Sequence, residues 1–258
     1  MYRKMVKLAL ALFLIIFCPC NSFAEDAEPD EIKNSDASSS VQEAVNKDSE
    51  LIKQLAAQSR KRPPDPEIKG VEFEIGDNEI EGSSSARLIM VQFSDYTCYH
   101  CALYTKETYP EILKNYVNRG KMRYVVVDYP LPGDTPATRA AEAVHCASEQ
   151  GKFREMHEAV MSQQKFINDI DSVASFVDMD MDQFKACMES KKYESVINEN
   201  IEIGFNLKIP SVPNFIIGGI DPENPKKVKG IAYIRGSKPY DHFKQEIDKA
   251  LADLEEQK

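Results

Sequence analysis

The segment VQFSDYTCYHCALYTKETYP, residues 91–110, holds Cys98 and Cys101 with only Tyr99 and His100 between them. Cysteines at this spacing can hold a metal, form a structural crosslink or work as a redox pair. A zinc site needs further ligands, usually a second CxxC or a closely spaced His pair. The sequence has no second CxxC, and His145, Cys146 and His157 lie in a helical stretch without ligand spacing. No metal is therefore expected. A structural disulfide across CxxC closes a very small loop, and crosslink stabilisation grows with loop length. Redox exchange is the chemistry that the surrounding residues suit best.

The elements that must position the pair are legible on either side of it. RLIMVQF (87–93) is an apolar run of the length of a buried strand. From the CxxC to about Asn118 the chain reads as a helix that Pro110 should kink. A strand feeding into a helix sets Cys98 at the helix N-terminus, where free N–H groups and the helix dipole favour a thiolate. Such placement lowers a cysteine pKa from about 8.5 to roughly 3.5–7.5. Cys101, one turn later, is expected to be the more buried partner of the disulfide. His100 can add a donor or a positive charge near the sulfur, and a stabilised thiolate makes the disulfide more oxidising. The alternative is that His100 only faces water. Asp95 reads as a turn or cap residue, and Tyr96, Tyr99, Tyr104 and Tyr109 either line a peptide-accepting surface or belong to the core.

The N-terminal residues read as a cleavable export signal over residues 1–24. Arg3, Lys4 and Lys7 precede the apolar core LALALFLIIF, and Ser22-Phe23-Ala24 offers a cleavage site. The apolar run is shorter than the about 20 residues a spanning helix needs. Removing this leader takes Cys18 and Cys20 from the six cysteines and shifts the net charge from −10 to −13. A surface so acidic argues against a nucleic-acid partner. An even number of remaining cysteines in an exported chain favours disulfides. Cys146 and Cys187, on different expected helices, are then read as a structural disulfide, the alternative being two buried thiols.

Residues 25–66 form an extension and linker. Its first part is polar and Ser-rich and is expected to be disordered. Val41, Val45, Ile52 and Leu55 give residues 41–59 a weak apolar helical stripe, which reads either as a solvated helix or as one on which copies could pair, and RKRPPDPE is a stiff Pro-rich break. The domain proper spans 67–258. It runs as a short strand (71–75), the strand before the CxxC, the kinked helix and a β-rich run at 122–130. A helical block follows over about 134–207, then two strands (213–219 and 227–236) and a closing amphipathic helix at 238–257.

This order, with FSDYTCYHC running from strand into active site and TYPEIL as the kinked helix, resembles the DsbA-like thiol:disulfide oxidoreductases of the thioredoxin superfamily. The resemblance implies an α/β, thioredoxin-like fold, with a helical domain inserted between two β-halves and a short helix preceding it. It also implies a cis proline before the strand facing the active site. IPSVPNFIIGG matches that segment, which makes Val212-Pro213 the pair that would hold a backbone edge open to a substrate peptide beside Cys98 and Tyr99. Pro210 is the runner-up. Tyr99 stands where the family's best-known oxidases carry Pro, and Ser211-Val212 replaces a frequent Gly-Thr. The expected activity is exchange of a Cys98–Cys101 disulfide with cysteine-containing exported proteins in the periplasm, with no cofactor beyond that pair. A membrane or soluble redox partner would reset it. Disulfide donation is the first expectation. Isomerase or reductase work through an oligomer, and a non-catalytic chaperone or binding module, are the alternatives.

Overall fold

The computed structural model describes residues 45–50, 52–53, 63–130, 133 and 135–256. The expected leader and the Ser-rich stretch after it lie outside the described residues. Of the 41–59 segment, residues 45–50 and 52–53 are described as exposed helix. Pro63–Lys258 forms a compact unit of its own.

Six strands build its sheet: β1 (Glu72–Glu74), β2 (Ile80–Glu81), β3 (Leu88–Ser94), β4 (Met122–Asp128), β5 (Asn214–Ile220) and β6 (Lys227–Arg235). They lie in the order β1-β6-β5-β3-β4-β2. Only β3 and β4 pair in parallel; the other neighbours are antiparallel. Every residue of β3 is buried, because it is a central strand of a sheet covered on both faces, and five of its seven residues are apolar. Leu88 and Met90 point into one core with Tyr104, Phe215, Phe243 and the helical insert. Ile89, Val91 and Phe93 point into the other with Val125, Val127 and Ile216.

Parallel pairing requires a crossover, and the kinked helix supplies it. The helix α1 (Tyr99–Glu107) stops at Thr108, and α2 (Tyr109–Ile112) restarts with Pro110 in its first turn. Proline lacks the N–H that would continue the ladder, so the break falls just before it. Leu113–Val117 extends α2 as a π-turn into the loop before β4.

The helical insert holds α3 (Pro136–Ser148), α4 (Phe153–Ser162), a 3₁₀ turn (Gln164–Phe166), α5 (Ile170–Ala174), α6 (Met181–Ser190) and α7 (Glu194–Asn206). Thr135 caps α3 by accepting from the Thr138 N–H at 3.2 Å, and Asp180 caps α6. Cys146 on α3 and Cys187 on α6 form a disulfide with Cα atoms 5.8 Å apart. The chain then returns through β5 and β6 to α8 (Tyr240–Glu255), whose Phe243 and Ile247 pack on the sheet. Among the described residues no helix is long and apolar enough to cross a membrane.

One strand was not expected from the sequence. β2 lies in what reads as a Gly/Ser loop, and two residues carry too little alternation to be seen. It is held by pairing with Tyr124 and Val125 on β4. Its Glu81 also accepts from the Tyr109 hydroxyl and from Arg154 Nε at 2.6 Å, tying the sheet edge to α2 and α4.

The disulfide closes a separation of 41 residues. In the chain-entropy picture, the Cys146→Ala/Cys187→Ala double variant should unfold with about 4 kcal/mol less stability. Denaturant melts at fixed pH measure this, and an unchanged midpoint would show that the bond restrains nothing.

Candidate active site

The turn Ser94–Cys98 carries the chain from β3 into α1. The Cys98 N–H donates to Asp95 O at 3.0 Å, and Asp95 Oδ1 accepts from the Thr97 N–H at 2.6 Å. Cys98 thereby becomes the N-cap of α1, and its sulfur accepts from the Cys101 N–H at 3.3 Å. A cap side chain normally satisfies one of the orphan N–H groups of the first helical turn, and here a sulfur does so.

The two cysteines carry free thiols and differ sharply in surroundings. Cys98 is half-buried, and Cys101 is fully buried. The Cys101 thiol donating to it, followed by the Cys101 and His100 backbone N–H groups, pulls the Cys98 thiol down to about 6 against the opposing effects of burial and Asp95. Burial drives the Cys101 thiol upward, and its neighbour Cys98 adds to that. Within one turn, the same chemical group is made acidic at one position and held protonated at the other.

His100 acts on this sulfur through its backbone, and its ring is exposed and rests against the Tyr99 ring 5.5 Å away. Tyr99 is 69% exposed, whereas Tyr96, Tyr104 and Tyr109 are core residues. Asp95 is the turn residue that its position suggested.

The second wall of the site is the loop before β5. The Val212–Pro213 peptide is cis, and the Val212 carbonyl lies 3.7 Å from Cys98 Sγ. The loop is braced from below by buried Asn214. Its Nδ2 donates to the Ser211 carbonyl and its Oδ1 accepts from the Gly236 N–H at 3.2 Å. Beside Val212 opens a cavity of about 610 Å³, lined by Tyr129, Ile201, Phe205 and Ile209, with Asp95 at the Cys98 turn. Phe205 is 75% exposed. Helix α7 reaches this position because Gly204 lies against the Tyr129 ring, where a Cβ would come within 2.5 Å of a ring carbon.

Gln164 carries no motif and escapes a reading of the sequence. From the 3₁₀ turn of the insert, its Nε2 donates to Tyr96 O at 2.8 Å and Cys98 O at 3.0 Å. Beneath the same turn, the Tyr96 hydroxyl lies 3.0 Å from His157 Nδ1. Burial pushes the His157 ring down to about 4, so it is neutral at physiological pH.

Cys98, Cys101, Val212 and Pro213 are thus brought together, with Tyr99 and His100 exposed at the edge, while Cys146 and Cys187 pair within the insert. A family model described as thioredoxin matches residues 76–234. The chain belongs to the thioredoxin family, on its DsbA-like side. A Rickettsia prowazekii protein named as a protein-disulfide oxidoreductase is 24% identical over 241 residues, 87% of this chain and 82% of its own. Disulfide bond formation protein D of Bacillus subtilis is 22% identical over 72% of this chain and 79% of its own. The crystal structure of Wolbachia pipientis alpha-DsbA1 superposes with a TM-score of 0.60 at 25% identity, covering 69% of this chain and 92% of that one. BdbD of Bacillus subtilis shares the fold, with a TM-score of 0.58 at 17% identity over 71% of this chain and 99% of its own. The DsbA-like chain is a thiol:disulfide oxidoreductase.

Two measurements follow from the geometry. Alkylation of reduced protein by iodoacetamide should rise with a midpoint near pH 6, the value to which Cys98 is lowered. The unfolded thiol, near 9, holds its proton longer than the folded one. Reduced protein should therefore gain stability over a Cys98→Ser variant as pH rises from about 6 to about 9, and lose that gain as pH falls. A midpoint near 9 would remove the basis for both. In a Gln164→Leu variant two carbonyls lose a donor, which should cost about 1–3 kcal/mol in denaturant melts and raise the alkylation midpoint. A wild-type midpoint in that variant would mean the turn is held by other bonds.

Proposed function

We propose that this chain donates disulfides, passing the Cys98–Cys101 bond to cysteine pairs of exported proteins. The observation that carries this reading is the unequal pair of sulfurs, Cys98 stabilised as a thiolate by three donors and Cys101 buried behind it. A couple whose reduced form is stabilised holds its disulfide less tightly and gives it away more readily.

In this mechanism a substrate thiolate attacks Cys98 Sγ, the exposed sulfur of the oxidised pair. The bond between Cys98 and Cys101 breaks, its electron pair goes to Cys101, and a mixed disulfide forms. A second substrate thiolate then attacks the substrate's own sulfur, the new disulfide departs, and Cys98 leaves as the stabilised thiolate. The two electrons remain on the dithiol until a membrane or soluble redox partner removes them. No bound cofactor is needed, since both electrons pass through sulfur.

Val212 and Pro213 are the docking edge in this reading. An extended substrate segment can pair with the backbone at Val212 as an added strand, with its cysteine beside Cys98 Sγ and apolar side chains in the Phe205 cavity. Exposed Tyr99 and His100 would flank the other side. Export through a leader over residues 1–24, and a periplasmic site of action, fit the Cys146–Cys187 disulfide, since such bonds persist in oxidising compartments. Work as an isomerase or reductase would instead need paired copies, with residues 41–59 as the pairing segment.

Equilibration with glutathione tests direction. A donor should settle nearer about −120 mV than about −270 mV, and a Cys98→Ser variant should lose all oxidation of a dithiol peptide. A strongly reducing potential would reverse the assigned direction, and full peptide oxidation by Cys98→Ser would remove the site itself.

A further inference from the structure

Resting on the reading of Cys98–Cys101 as a disulfide donor, the cavity beside Val212 bears on which substrate segments the pair meets. It borders the Asp95 turn and Val212, whose carbonyl lies 3.7 Å from Cys98 Sγ. An extended chain advances about 3.3 Å per residue, so side chains within about three positions of a substrate cysteine reach it. Its volume of about 610 Å³ falls in the range in which proteins take up ligands, about 300–1,000 Å³. The apolar walls are Ile201 and Phe205 of α7, Tyr129 after β4, and Ile209 in the loop before β5. Phe205 leaves most of its ring to solvent.

The charged residues lining this apolar cavity are Asp95 and Glu202, and both are carboxylates. Glu202 is exposed near the C-terminal end of α7, where a negative charge opposes the helix dipole. Among the described residues no ion pair involves it. Neither helix stability nor an internal pair therefore accounts for a carboxylate there. It stands three positions before Phe205, so the two side chains are neighbours on one helix face. Asp95 Oδ1 accepts from the Thr97 N–H and hydroxyl at 2.6 and 2.5 Å, and Oδ2 is left for another donor. An aromatic ring beside a carboxylate suits a Lys or Arg side chain, whose stem covers apolar surface while its head meets the charge. The chain's own extension, EDAEPDEIKNSDASSS, is acidic, and the whole chain carries −10. Neither that extension nor a second copy complements these carboxylates.

We propose that this cavity selects cysteine-bearing segments in which a Lys or Arg stands next to a bulky apolar residue, within about three positions of the cysteine. Ile201, Phe205 and Ile209 take the apolar side chain, and Glu202 and Asp95 receive the cation. The exchange itself is unchanged. The substrate thiolate bonds to Cys98 Sγ as the Cys98–Cys101 bond breaks, and the electron pair goes to Cys101. A second substrate thiolate then releases Cys98 as a thiolate. Asp95 opposes negative charge on Cys98, so a cation held at Asp95 eases that departure as well as binding the segment. A segment with a carboxylate in the same place meets repulsion from both residues.

Four dithiol peptides test this, with Leu-Lys or Leu-Glu placed just before or just after the first cysteine. Second-order rate constants for their oxidation by the oxidised protein are divided by those with hydroxyethyl disulfide, which removes the intrinsic reactivity of each thiol. In at least one placement the Lys peptide should react about fivefold faster than its Glu counterpart at low salt, one exposed charge pair gained against one repelled. The ratio should fall toward one in about 1 M salt. Glu202→Lys should reverse the preference, and Phe205→Ser should slow the Leu-Lys peptide severalfold. Both positions are exposed, so neither change touches the core. Equal rates within both placements, or an unaltered ratio in Glu202→Lys, would overturn the selection and leave the redox pair standing. So would a wild-type dimer in sedimentation that Phe205→Ser abolishes, since the cavity would then be a face between copies. Failure to oxidise any of the four peptides would instead overturn the disulfide-donor reading itself.

Discussion

A sulfur that receives hydrogen bonds from the first turn of a helix is the interaction on which the rest of this structure depends. The orphan N–H groups of α1 need an acceptor, and Cys98 becomes a better one as it loses its proton. The donors work only while the first turn stays still relative to the sulfur. The buried β3 strand fixes where the turn begins, and Asp95 shapes it. Gln164 holds two of its carbonyls from the far side. Stabilisation of one anion at the surface thus draws on the sheet, the turn and the insert together.

The same placement divides the labour between two identical side chains. Half exposed among donors, Cys98 is suited to be attacked and to leave. One helical turn deeper, Cys101 meets apolar burial and keeps its proton. Below them His157 is held unprotonated by burial, with its Nδ1 on the Tyr96 hydroxyl and the buried Asp128 acting on both rings. The thiol asymmetry itself follows first from burial at Cys101 and from hydrogen-bond donors at Cys98.

The helical insert does more than cover one face of the sheet. Its 3₁₀ turn supplies Gln164, α4 supplies His157, and α7 forms one wall of the cavity beside Val212. The Cys146–Cys187 bond ties α3 to α6 within it. Because turn, wall and core come from one insert, a shift of that insert would be felt at the active-site carbonyls as well as at the docking cavity.

Much of this was readable along the chain because its signals are local. The buried run before CYHC, the break at Pro110, the helical block and the closing β-pair are statements about neighbouring residues, and each has its counterpart in the fold. The two-residue β2 was not readable, since its existence depends on β4 and on Glu81 meeting Tyr109 and Arg154. His100 could be seen to sit between the cysteines, but not that its backbone rather than its ring faces the sulfur. Gln164 is an ordinary polar letter, and nothing local distinguishes it from a surface residue. By itself, then, the sequence determined that a strand would deliver two cysteines to the start of a helix, because periodicity and proline act over a few residues. Only the tertiary structure decided which groups hold the turn, the Gln164 amide on the Tyr96 and Cys98 carbonyls, because contacts across 68 and 66 positions leave no signal among neighbouring residues.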